Sequence, residues 1–122
     1  MLSMGSLSLL VSLLLYVCLY TIAILIIKGS LNNMKYTSMI DFLFNLVNVN
    51  LFIGIVLYGI GFIAWLYLLS KVNLNIAYPI AVTLSFLTIT ISSVLILKEN
   101  ITVNILAGML FCLIGIIIII MK

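Results

Sequence analysis

Four long apolar stretches, separated by three short polar breaks, take up nearly all of this 122-residue chain. A helix crosses the hydrocarbon core of a bilayer with about 20 residues at about 1.5 Å each, and every stretch is close to that length. Hydrophobic residues make up 67% of the chain and charged residues 6%, so no soluble fold of this size could bury the apolar surface. The runs are continuous rather than alternating, which excludes a β-barrel. The expectation is therefore an all-α integral membrane protein, a single four-transmembrane-helix domain over residues 1–122 with helices at about 7–27, 51–69, 75–97 and 102–121. The N-terminal run MLSMGSLSLLVSLLLYVCLYTIAILIIK reads as the first of these rather than as a secretory signal, because it lacks a basic start and a cleavage site and is too long.

The same composition narrows function. The chain has no histidine, two acids (Asp41 and Glu99) and five lysines, so it offers no catalytic residues, no paired carboxylates and no metal-ligand cluster. An enzyme is not expected, and no cofactor or metal is implied. Cys18 and Cys112 fall inside predicted spans, where they behave as small apolar residues and give no disulfide framework. A net charge of +3 is too sparse for nucleic acid and marks topology instead. Lys28, Lys35 and Lys98 fall on one side and Lys71 and Lys122 on the other, a split that fits either orientation.

Within each span the less aliphatic residues keep a rhythm of three and four, which gathers them on one helix face. In the first, Ser12, Tyr16, Tyr20, Ala23 and Ile27 form such a face and should point inward; the helix should end at Lys28. A long loop then runs to about Asp41, and FLFNLVNVN reads as an interfacial entry to the second span. There Gly54, Tyr58, Gly61 and Trp65 share a face, so a helix or ligand can approach the glycines while the aromatics flank an apolar chain. Trp65 and Tyr67 can also be read as anchors at the water interface.

The turn SKVNLN is tight enough to make the second and third spans antiparallel neighbours. Pro79 sits near the start of the third, where a missing N–H costs least. Tyr78, Ala81, Ser85, Thr88 and Ser92 line one side of that helix; Ile80, Leu84, Leu87, Ile91 and Leu95 line another. A hydroxyl-rich stripe suits a protein interior or a polar cavity, or else each hydroxyl bonds the carbonyl four residues back. In the last span Gly108 and Gly115 are seven apart and so share a face, a groove for another helix.

These motifs carry a resemblance. WLYLLSK from Trp65, IAYP ending at Pro79, Lys98-Glu99 closing the third span and GMLFCLIG from Gly108 to Gly115 resemble the drug/metabolite transporter superfamily in its minimal four-helix form. Its small multidrug resistance branch relies on a membrane-embedded glutamate about two turns before a lysine ending helix one. Counting back from Lys28 reaches Tyr20, and that acid is absent. Tyr58 and Tyr78 match the branch's tyrosines, while Ala81 stands where it has a tryptophan. The small subunits of the aminoarabinose-lipid (undecaprenyl-phosphate-linked) flippase, which are EamA-like, carry A-Y-P and a tryptophan at the place of Trp65 and do not depend on the glutamate. The chain is more similar to these, departing from them at Asn73 and Asn75.

The resemblance implies a multi-pass protein of the cell (inner) membrane, a transporter or flippase subunit moving an amphiphilic or polyprenyl-phosphate-linked substrate. Lys28 would meet the head group, Tyr78 and Ser85 would bond its polar part, and Tyr58 and Trp65 would hold the apolar part. Four such helices enclose little volume, so a homodimer or a heterodimer with a similar small subunit is expected, packed through Gly108 and Gly115. Two other readings stand beside this one. One is a small cation exporter that replaces the missing acid; the other is a non-transporting accessory of a membrane glycosyltransferase acting on lipid-linked sugars.

Overall fold

The computed structural model describes residues 4–121, with side chains from Gly5 onward. Helices α1 (Met4–Asn32), α2 (Met39–Asn45), α3 (Val49–Leu69), α4 (Leu74–Ser92) and α5 (Val103–Ile120) account for the fold, with no strand among the described residues. A π-helical turn, Ser93–Leu97, continues α4. Among the described residues, four helical stretches are long and apolar enough to cross a membrane: Gly5–Asn32, Val49–Leu69, Leu74–Leu97 and Val103–Ile120.

Several boundaries differ from the sequence expectation. Helix α1 does not stop at Lys28 but runs on to Asn32, and Ser30 in the added turn is buried (7% exposed). The expected loop beyond it holds the short helix α2. Ser38 caps this helix by accepting a hydrogen bond from the Asp41 amide at 3.2 Å, and Thr37 Oγ1 donates to the Asp41 carboxylate at 2.7 Å. Asp41 is thereby held in the first turn, where the helix dipole favours a negative charge. None of the α2 residues is buried.

Pro79 lies on the sixth residue of α4, one turn deeper than a cost-free position. Its missing amide leaves the Asn75 carbonyl without its helical partner. Asn75 is exposed at the helix end, where water or head groups can satisfy that carbonyl.

The central packing is α1 against α3, and glycines set it. A Cβ on Gly54 would lie 2.7 Å from Ile27 Cγ1 and 3.3 Å from the Ala23 carbonyl oxygen, and one on Gly61 would lie 3.2 Å from Leu19 Cβ. The two backbones therefore approach as closely as side chains allow, and Ala23 is fully buried. In lipid, where apolar attraction between helices is nearly absent, such close contact is a main source of association.

Helix α4 packs on α1 as well, whereas α3 and α4 approach each other at few positions. The tight turn makes them consecutive in the chain, but the glycine face of α3 complements α1 better than it complements α4. Trp65, Leu68, Ala77 and Ala81 close the core beside the turn, with Leu9, Leu13 and Tyr16 of α1 packed on them. Helix α5 lies at the edge against α4, and Met109 is its one buried residue.

Because the spans alternate in direction, Lys28, Lys35 and Lys98 share one end of the bundle and Lys71 lies at the other. Lys122 is outside the described residues.

Candidate functional site

Since α3 and α4 part beyond their turn while α1 packs on both, a wedge-shaped space opens with α1 as its floor. Tyr16 and Tyr20 come from α1, Tyr58, Phe62 and Trp65 from α3, and Tyr78, Ala81 and Val82 from α4. The cavity measures about 250 Å³.

Helical spacing explains the set: residues three or four apart lie on one face, and Tyr16/Tyr20, Tyr58/Phe62/Trp65 and Tyr78/Ala81/Val82 are all spaced so. The rings touch in sequence. Tyr58 meets Tyr20 at 5.4 Å between centroids, Tyr20 stacks on Tyr16 at 5.5 Å, Tyr16 meets Trp65 at a tilt at 5.1 Å, and Trp65 meets Tyr78 edge-on at 6.2 Å. These separations fall in the range of favourable aromatic pairs. The result is a continuous aromatic wall that carries four phenol hydroxyls and no formal charge.

The inner and outer parts of this wall differ in exposure. Trp65 is buried (9% exposed), so it is a core residue rather than an interfacial anchor, while Tyr67 on the opposite face is 44% exposed. Tyr58 and Tyr78, at 43% and 56%, stand at the rim. The cavity therefore opens sideways, toward what surrounds the bundle.

The hydroxyl stripe of α4 faces α1. Thr88 Oγ1 lies 2.8 Å from Thr21 Oγ1 and also 3.0 Å from the carbonyls of Leu84 and Ser85, so it serves both packing and local backbone bonding. Ser85, only 4% exposed, is different: its Oγ has no hydrogen-bond partner, and the Tyr16 phenol is its neighbour. It lies one turn behind Ala81 and outside the lining of the cavity.

Of the residues expected to bind substrate, Tyr58, Trp65 and Tyr78 meet in one cavity, with Ser85 behind it. Lys28 does not join them. It follows Tyr20 by eight residues, about 12 Å along the helix axis, and lines a separate groove between α1, the end of α4 and α5. Gly108 and Gly115 stand apart from both spaces, with nothing within 4 Å of where a Cβ would be. Periodicity puts Tyr16 and Tyr20 on the inward face of the first helix without giving them to the site, and Phe62 is missing from the expected set. Its signal was present in the sequence, one turn from Tyr58 on the same face. Among the described residues no three His, Cys, Asp or Glu side chains gather to hold a metal ion.

Fold and span lengths together define a class: a multi-pass, all-α membrane protein. Comparison with protein-family models, curated proteins and solved structures finds no match to this chain.

Proposed function

We propose that this chain is a subunit of a small membrane transporter or flippase that moves an amphiphilic substrate, with polyprenyl-phosphate-linked sugars as the favoured class. The observation that carries this reading is the aromatic cavity inside the bundle, rimmed by exposed tyrosines and open to the side. A lipid-borne head group could enter it without its chain leaving the bilayer. Ring faces of Trp and Tyr hold the apolar faces of a sugar, and phenol hydroxyls bond its polar edge. The substrate class comes from the motif resemblance, and translocation rather than bond chemistry fits a cavity whose ionisable groups are four phenols. The active unit in this reading is a dimer joined through α5, whose glycine face is uncovered.

One feature favours a second reading. Faces of tyrosine and tryptophan attract cations, so the same cavity could take a lipophilic cation without the missing acid. A single vesicle assay separates the two. Protein reconstituted with a fluorescent polyprenyl-phosphate sugar should carry it between leaflets, measured by quenching with a membrane-impermeant reductant. Tyr58→Ala and Tyr78→Ala, both at the rim, should slow it. Parent vesicles no faster than protein-free ones would overturn the flippase reading. Accumulation of a quaternary ammonium dye in the same vesicles would establish the cation reading instead.

A further inference from the structure

We infer that the groove at Lys28 is a binding site for one zwitterionic phospholipid bearing a primary amine, distinct from the aromatic cavity and independent of what that cavity carries. The groove measures about 400 Å³, within the range of built ligand pockets. Phe86, Ile89, Leu97 and Ile105 are among the residues that make its length apolar. Its polar end is made by Lys28 on one side and by Glu99 with Asn100 on the other.

Local backbone geometry brings these groups to the groove. The π-helical turn ends at Lys98, whose left-handed backbone (φ 56°) reverses the chain, and the Lys98 and Glu99 amides both donate to the Ser93 carbonyl. Glu99, Asn100 and Ile101 are thereby laid along the groove before α5 begins.

Lys28 and Glu99 line the same opening, yet no ion pair within 4.0 Å joins them, and neither side chain has another partner among the described residues. Two opposite charges on one apolar groove, not paired with each other, are complementary to a head group with a phosphate and an ammonium. The phosphate accepts from the Lys28 ammonium, whose long stem lets it snorkel. A primary ammonium donates to the Glu99 carboxylate and the Asn100 side-chain oxygen, and one acyl chain lies against Phe86 and Ile89. A quaternary amine has no N–H to donate. An anionic glycerol head leaves Glu99 without a cation. The commitment is therefore to a phosphoethanolamine lipid over a phosphocholine or phosphoglycerol one.

The test is native mass spectrometry of the purified protein in micelles holding equal amounts of phosphatidylethanolamine, phosphatidylcholine and phosphatidylglycerol. The ethanolamine lipid should be retained with a preference of about fivefold, the size expected for one exposed ion pair. Glu99→Gln should remove that preference while phosphatidylglycerol stays bound, and Lys28→Gln should weaken all three. Lys71→Gln, an equal charge loss at the other end, should change nothing. Equal retention of the three lipids by the parent would mean annular lipid only and would overturn the site, as would a preference that Glu99→Gln leaves intact. Neither outcome depends on whether the aromatic cavity transports anything.

Discussion

Thr21 of α1 and Thr88 of α4 share a hydrogen bond of 2.8 Å between their hydroxyls, tying the two helices together just past the aromatic cavity. Thr21 can instead give its proton to the Val17 carbonyl at 2.7 Å, and Thr88 to the carbonyls of Leu84 or Ser85 at 3.0 Å. Each hydroxyl has one proton, so one donates across the helices while the other donates to its own backbone. The bond thus has two settings and no orphaned oxygen.

That arrangement predicts a modest, coupled contribution. Replacing Thr88 with Val keeps the shape and removes the hydroxyl; inter-helix hydrogen bonds in membranes average about 0.6 kcal/mol and reach about 1.7. Thr21→Val should cost a similar amount, and the double variant less than the sum of the two. Unfolding of the four proteins in mixed micelles gives the coupling energy directly. Strict additivity would mean that the two threonines act only through their own carbonyls.

The α1–α3 interface predicts a sharper ranking among glycines. Gly54→Ala meets Ile27 Cγ1 at 2.7 Å and, less avoidably, the Ala23 carbonyl at 3.3 Å, so the helices must separate. Overpacking of this kind costs about 1–3 kcal/mol. Gly61→Ala, at 3.2 Å from Leu19 Cβ, should cost less. Gly59→Ala meets nothing within 4 Å and should be neutral or stabilising, since alanine is the better helix former by about 1 kcal/mol. Thermal denaturation in detergent of the three variants checks the order; a Gly54→Ala protein as stable as Gly59→Ala would remove the basis for this packing.

The rhythm of three and four in the sequence locates most of these contacts. It marks Ser12 and Ala23 as inward, sets Gly54, Gly61 and Trp65 on one face, and gives Ala81 and Ser85 to another; all seven are buried. What periodicity does not encode is which face meets which. The short turn at 70–73 suggests direct α3–α4 packing along the spans, but the glycines of α3 accommodate α1, and the resulting gap becomes the cavity. The separation of Lys28 from the tyrosines is legible along the axis, eight residues or about 12 Å beyond Tyr20, but the groove it lines with the end of α4 and α5 is not, because periodicity says nothing about which helices meet there. Helix α2 is legible in retrospect: Ser38 three residues before Asp41 is a capping pattern, obscured by the asparagines that follow.

Lys98 offers a local test. A non-glycine residue in the left-handed region is held at a cost of about 1–2 kcal/mol, and here it is imposed by the chain reversal after the π-helical turn. Lys98→Gly should therefore stabilise the protein by about 1 kcal/mol. Lys98→Val should destabilise it, since a β-branched side chain tolerates this backbone least. Equilibrium unfolding of the two variants against the parent decides, and equal stabilities would mean that the reversal carries no strain.

Helix α5 provides the last prediction, because its outer face separates a built contact from incidental glycine. Gly108 and Gly115 lie on that face, and a Cβ at either would meet nothing within 4 Å beyond the backbone of its own helix, so a side chain there starts into open space within the protomer. Insertion is also unharmed, as the change only makes the span more apolar. If a second copy packs through this face, however, the added bulk holds the helices apart and should weaken association by about 1 kcal/mol or more. Leu110→Ile and Ile117→Leu, large residues exchanged for large ones, serve as controls. Chemical cross-linking and molar mass in detergent should show Gly108→Leu and Gly115→Leu losing pairs that the parent and both controls retain, at unchanged protomer stability. Glycine variants that pair as well as the parent would move any dimer contact to a different face of the bundle.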